Sequence, residues 1–205
     1  MYARSITING DPGSVDLGIT FVRDEVMPVI ATMDGCLGIS MLVDRESGRT
    51  ITTSSWRDEE SMTASGARLA PYRDRANEMM GGGGPTAEMW EVAVMHRDHA
   101  SREGSCCRVT WGRPTDMDSM PEFFRSVPLP RLEALDGFCS ASLFLDRTEG
   151  ISCATVTFDS RAALEASREP MAAIRQLASD EGRVTFFDVA ELDLAIAHLR
   201  LPELV

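Results

Sequence analysis

The chain nearly repeats itself, and this limits its folds more than any other feature. "MDGCLGISMLVDRESG" begins at Met33, and "LDGFCSASLFLDRTEG" begins at Leu135, 102 residues later. Pro28–Ser65 aligns with Pro130–Ser167 without a gap, and ten of the 38 columns are identical. They include Asp34/Asp136, Gly35/Gly137, Asp44/Asp146, Gly48/Gly150 and Ser65/Ser167. Average residue usage predicts about two or three identities by chance. Two copies are too few for a solenoid, so a duplicated domain is the better account.

Each copy predicts the same element order. A short alternating strand, "SITIN" or "CRVTW", opens it. Val15, Ile19, Val22, Val26 and Ile30 then recur at helical spacing. The looser counterpart is Met117, Met120, Phe124, Val127 and Leu132. Pro28 and Pro130 fall late in this helix, where a missing N–H should kink or redirect it.

Asp-Gly then stops the helix. Strands are expected at Cys36–Val43 and Phe138–Leu145, and at Thr50–Trp56 and Ser152–Phe158. Asp44–Gly48 and Asp146–Gly150 form the hairpin turns between them. Asp58 and Ser160 stand at N-cap positions of a second helix, whose apolar face carries Met62, Leu69, Tyr72 and Ala76. "EMWEVAV" and "TFFDVAE" close the units, five extra residues around "MMGGGGP" making a surface loop in the first. That loop has neither the spacing nor the lysine of a phosphate-binding loop.

The order β-α-β-β-α-β is the ferredoxin-like pattern. The expected fold is therefore α+β: two tandem ferredoxin-like repeats whose antiparallel sheets pack face to face as an intramolecular barrel pseudo-dimer. The expected division is residues 1–97, a linker at 98–104, and residues 105–205. "LDLAIAHLRLPELV" is expected to pack as a tail across the halves.

A formal net charge of −12 with no basic stripe disfavours nucleic acid and anionic lipid. No apolar run approaches bilayer length, and "MYARSITING" carries no charged-then-apolar leader. Five cysteines without CxxC spacing fit a cytoplasmic protein with reduced thiols.

The stretch Asp34–Ser65 resembles the antibiotic biosynthesis monooxygenase family of the dimeric α+β barrel superfamily. It has an Asp-Gly, a strand, an Asp-Arg…Gly turn, a strand ending in Trp56, and an Asp-capped helix. The likeness covers both halves. It implies either an oxygenase acting without a cofactor on an aromatic or polyketide-like molecule, or one of the family's non-catalytic binding or assembly proteins. Members that use an asparagine, a tryptophan and a tyrosine around an electron-rich phenol suggest Asn9, Trp56 and Tyr72 as catalytic residues. Haem degraders resemble this pattern but carry a histidine on the second helix, and Glu59–Met80 has none.

Each candidate also has a packing explanation. Trp56 is matched by Phe158 and Tyr72 by Ile174, while Asn9 precedes the turn-forming Gly10-Asp11-Pro12.

Where the copies differ, they are informative. On the face of Trp56, Thr52 and Ser54 replace Ala154 and Val156. A buried hydroxyl without a partner costs about 1–3 kcal/mol. The first half is thus expected to keep a polar-edged substrate pocket lined by Thr52, Ser54, Trp56, Tyr72 and Asn9, and the second to be filled. A small-molecule ligand is the expected partner, and a further homodimer stays open. No metal site is expected: His96, Asp98 and His99 read as a solvated connector, and His198 as a satisfied interface histidine. Cys106 and Cys107 read as inert.

Overall fold

The computed structural model describes residues 1–181 and 183–199. They form two compact units, Met1–Trp90 with the last strand from Leu194, and Glu91–Asp193. Each unit has the α+β, ferredoxin-like order expected of the duplication.

The first unit opens with β1 (Tyr2–Asn9). A 3₁₀ turn at Pro12–Ser14, capped by the Asp11 carboxylate on Gly13 N–H, leads into α1 (Val15–Phe21). The expected single helix then widens into a π turn at Val22–Val26 before the short α2 (Met27–Ile30). Pro28 explains the change. It cannot donate to the preceding turn and its ring crowds the carbonyl four residues back, so a wider turn relieves both.

Gly35, at φ +74, and its counterpart Gly137, also at φ +74, end the first helices in the left-handed region. At Gly35 a Cβ would also lie 2.3 Å from Ser61 Oγ. This identical column is therefore a geometric requirement of the turn.

β2 (Cys36–Val43) and β3 (Arg49–Trp56) form the hairpin. The Asp44 carboxylate accepts from Glu46 N–H and Ser47 Oγ, and Gly48 sits at φ +77. β3 is central, pairing antiparallel with β1 (Arg4 opposite Ser54, Ile6 opposite Thr52) and with β2 (Met41 opposite Thr52). α3 (Glu59–Met79) starts at the expected cap, Asp58, which accepts from Ser61 N–H at 2.8 Å. Ser61, through its side chain and then its backbone, and Arg57 hold the Asp58 carboxyl down at about 2. β4 (Thr86–Arg97) begins in this unit and continues into the second.

The second unit comprises β5 (Cys106–Pro114), α4 (Met120–Ser126), α5 (Pro128–Glu133), β6 (Phe138–Asp146) and β7 (Ile151–Phe158). α6 (Arg161–Ala166), α7 (Arg168–Asp180) and β8 (Val184–Leu199) follow. Its strands run β8-β5-β7-β6, with Glu91–Arg97 of β4 beyond β6. Where the first unit has one long helix, this one breaks at Ser167. The break places Pro170 in the first turn of α7, where its missing N–H is no loss.

Two expectations are corrected. The presumed tail is not a separate segment: Leu192–Leu199 is the end of β8, and residues 200–205 lie outside the described residues. His198 is exposed. No helix among the described residues is long and apolar enough to cross a membrane.

The two cores differ. In the second unit, one large cluster gathers Phe124, Leu143, Phe158, Leu164 and Met171. In the first, Trp56, Ile39, Met41, Val22 and Met62 form one cluster, and Ile8, Phe21, Ala76 and Met80 another.

Candidate functional site

A cavity of about 270 Å³ borders both core clusters of the first unit. Its sheet wall is made by Arg4, Ile6 and Ile8 of β1, Ile39 of β2, and Thr52 and Ser54 of β3. Its helix wall is made by Val22, Val26 and Ile30 on one side and Gly66, Leu69 and Tyr72 of α3 on the other. Ala87 and the half-exposed Met89 of β4 complete it. Among the second unit's described residues, the matching space under Thr110, Ala154, Val156 and Ile174 is about 70 Å³. Phe123, Phe124 and Phe186 help to line that smaller space. The first unit thus has the larger of these two spaces, and aromatic bulk reduces the second.

The five expected site residues divide. Thr52, Ser54 and Tyr72 line the cavity. The hydroxyls of Thr52 and Tyr72 have no hydrogen-bond partner among the described residues, and the Tyr72 ring leans on Phe21 at 6.4 Å between centroids. Ser54 is already occupied: its Oγ accepts from Trp56 Nε1 at 3.1 Å and donates to the Arg4 carbonyl at 3.3 Å.

Trp56 is fully buried in the core, with its indole N–H on Ser54, and is not among the lining residues. Asn9 is exposed at the end of β1, opposite Arg49, and does not line the cavity either. The structure therefore brings together the tyrosine and two hydroxyls of the expected set and leaves Asn9 apart.

Arg4 is a lining residue that the sequence reading passed over. Its half-buried guanidinium donates to Ser65 Oγ at 3.0 Å and to the Met62 carbonyl. Burial, and then the nearby Arg73 guanidinium, lower its pKa from the ordinary arginine value. Arg73 also lines the cavity and pairs at 3.0 Å with the exposed Asp74.

The second unit builds the same clamp. Arg108 lies opposite Val156 as Arg4 lies opposite Ser54. It donates to Ser167 Oγ at 2.9 Å and to the Leu164 carbonyl at 3.0 Å. The identical column Ser65/Ser167 is thus the acceptor of a paired arginine. The arginines themselves lie 104 residues apart, so a comparison at a spacing of 102 does not align them.

The clamps part company at the counter-ion. Arg108 donates to Glu191 Oε1 at 2.6 Å, and Arg168 grips the same carboxylate at 3.0 and 2.7 Å. Hydrogen bonds from Arg168 and Arg108 hold Glu191 down at about 2. No carboxylate pairs with Arg4 among the described residues.

A second cluster corrects the expected solvated connector. His99 is only 29% exposed, with Nδ1 2.7 Å from Asp98 and Nε2 2.8 Å from Asp159. Cys139 Sγ joins them, the ligand atoms of His99, Cys139 and Asp159 all lying within 4.8 Å of one another. Hydrogen bonds to Asp159, then Asp98, raise the imidazole pKa. Spacing along the chain hid this group, because Cys139 and Asp159 come from β6 and the end of β7. Cys106 and Cys107 are both buried, and burial pushes their thiols up to about 11 and about 12.

Residues 1–68 match the family model described as antibiotic biosynthesis monooxygenase. Rv2557, an uncharacterized protein of Mycobacterium tuberculosis, is 50% identical over 207 residues, covering 100% of this chain and 92% of its own. Rv2558, also uncharacterized and from the same organism, is 50% identical over 210 residues, covering 100% and 88%.

Among solved structures, a provisionally assigned monooxygenase from Lactobacillus acidophilus NCFM superposes with a TM-score of 0.70 at 10% identity, covering 97% of this chain and 96% of its own. An anthrone oxidase-like protein gives 0.62 at 16%, covering 97% and 90%. At such identities the likeness is one of fold. With the family match over residues 1–68 and the sequence of that copy written again in the second, the chain belongs to the antibiotic biosynthesis monooxygenase family, as a tandem duplication.

Proposed function

We propose that the first unit binds a flat, largely apolar small molecule between its sheet and α3, and that the chemistry carried out there is a monooxygenation of an electron-rich aromatic or polyketide-like substrate. The observation that carries the reading is the cavity of about 270 Å³ edged by two unspent hydroxyls, where the sister unit has about 70 Å³. Apolar walls with a few placed polar groups are what a small-molecule site needs. Ile6, Ile8, Val26 and Leu69 supply the walls; Thr52 and Tyr72 supply the polar edge.

An electron-rich phenol bearing a ring methylene can reduce O₂ by itself. The methylene becomes a carbonyl, one oxygen atom enters the product, and the other leaves as water with the two methylene protons. In this pocket Tyr72 orients the phenolic oxygen and relays its proton, Thr52 donates to it, and the apolar walls exclude water around the anion.

A second reading, binding without turnover, is supported by a specific observation. The indole N–H of Trp56 is committed to Ser54, and Asn9 is away from the cavity, which leaves fewer donors for a reacting oxygen.

Incubation with a panel of hydroxylated naphthalenes and anthrones distinguishes the two. Oxygen uptake with ¹⁸O incorporated from ¹⁸O₂, reduced at least tenfold by Tyr72→Phe, supports turnover. Ligand-induced thermal stabilisation without oxygen uptake supports the binding reading. Neither response overturns both.

A further inference from the structure

The duplication provides an internal control for the electrostatics of the pocket. In the second unit the clamp arginine is nearly fully buried, and its charge is met by Glu191, which Arg168 also holds. In the first unit the equivalent arginine faces the cavity with no carboxylate, and a second guanidinium, Arg73, lines the same space. Arg73 has the exposed Asp74 as its partner, so Arg4 is the half-buried cation left without a carboxylate, an unfavourable arrangement unless an anion joins it.

The space for that anion is also present. The column that carries Arg168 in the second copy carries Gly66 in the first. Gly66 lines the cavity, and a Cβ placed on it would meet Arg4 at 3.5 Å, ordinary contact distance. Glycine at this column therefore leaves room beside the guanidinium on the helix side. The first copy lacks both the carboxylate that neutralises the arginine in the second and the arginine that grips that carboxylate, and it lacks them where the cavity is.

We infer that the ligand of this pocket is an anion, a flat apolar body with one carboxylate or comparable acidic group, received by Arg4 with Arg73 beside it. The inference rests on the reading of the cavity as a small-molecule site and adds the charge class of what enters. Arg4 has two roles. It holds α3 through Ser65 and the Met62 carbonyl, and its uncovered edge offers a charge-assisted contact in an apolar surround. A cationic pocket in a chain of net charge −12 also sets the site apart from the rest of the protein.

The test uses two probes of nearly the same shape, 2-naphthoate and the neutral 2-naphthamide, titrated calorimetrically into the full chain. The expected result is that naphthoate binds about tenfold or more tightly than naphthamide, about 1.4 kcal/mol or more. Gly66→Asp supplies an internal carboxylate beside Arg4 without disturbing the clamp, and aspartate suits a helix no worse than glycine. In Gly66→Asp the preference for naphthoate should disappear while naphthamide binding persists. Arg4→Gln, with folding checked by its melting curve, should lose the preference as well. Leu69→Trp, which fills the cavity, should abolish both ligands.

Equal affinity of the two probes for the wild-type chain overturns the inference and leaves the small-molecule reading standing. A preference that survives in both Gly66→Asp and Arg4→Gln also overturns it, since the charge is then read elsewhere. Binding of neither probe overturns the small-molecule reading and the inference together.

Discussion

Ser54→Ala should destabilise the protein through Trp56. The indole is fully buried, and its N–H has Ser54 Oγ as its acceptor at 3.1 Å. Removing that acceptor leaves a buried donor unsatisfied, at a cost of about 1–3 kcal/mol. The small hydroxyl leaves little cavity behind, so a central value of about 2 kcal/mol is expected. In a chain of this size that is a fall in Tm of about 4–8 °C, at about 2–4 °C per kcal/mol.

Trp56→Phe removes the donor instead and loses about 1–3 kcal/mol of packing, since phenylalanine fills less of the site. In the double variant the orphaned N–H no longer exists. Its loss should therefore be smaller than the sum of the single losses by about 1–2 kcal/mol. Urea midpoints and slopes for the four proteins give the coupling. Additivity within about 0.5 kcal/mol would falsify the claim that Ser54 serves the indole. Thr52→Ala offers the contrast. Its hydroxyl has no protein partner among the described residues, so stability should change by less than about 0.5 kcal/mol while ligand affinity falls.

The two units should respond oppositely to the same enlargement. Thr52→Trp should be tolerated and block ligand, whereas Ala154→Trp, beside about 70 Å³, should overpack and cost about 1–3 kcal/mol or more by thermal melting. Acid should unlock the second unit's clamp. Glu191 is held at about 2, below its ordinary 4.5, so its contribution is present above pH 4.5 and lost as pH falls towards 2. Melting curves across that range should show the loss, and Glu191→Gln should remove this acid dependence. Mass-resolved thiol labelling at pH 8 should modify the half-buried Cys36 first and leave Cys106 and Cys107 intact until unfolding; rapid labelling of Cys107 in the native state refutes this.

The sequence made the scaffold legible where local chemistry decides it. Asp-Gly stops, Asx-supported hairpin turns and the caps at Asp58 and Ser160 are short-range signals, and they lie where the letters place them. The π turn before Pro28 and the break at Ser167 were less legible, because a proline forbids one geometry without choosing its replacement. The exchange of Ala154 and Val156 for Thr52 and Ser54 picks out two residues of the cavity's sheet wall, since strand alternation determines which residues share a face.

The resemblance-based trio was legible only in part. Residue type and spacing cannot tell that Trp56 turns its N–H to Ser54 or that Asn9 ends beyond the cavity. Arg4 was hidden by a two-residue difference in the spacing of the repeats. The His99, Cys139 and Asp159 group was hidden by long-range contacts that no local pattern records.

The central claim is that the duplicated chain keeps one ligand cavity, in the first unit, and has closed the other. Isoleucine methyl NMR during titration with 2-naphthoate tests it most directly. Ile6, Ile8, Ile30 and Ile39 line the first cavity, and Ile174 lines its counterpart. Shifts confined to the first four methyls, with Ile174 unmoved, are predicted. Saturable shifts of Ile174 equal to theirs, or no shift at any of the five, contradict the account.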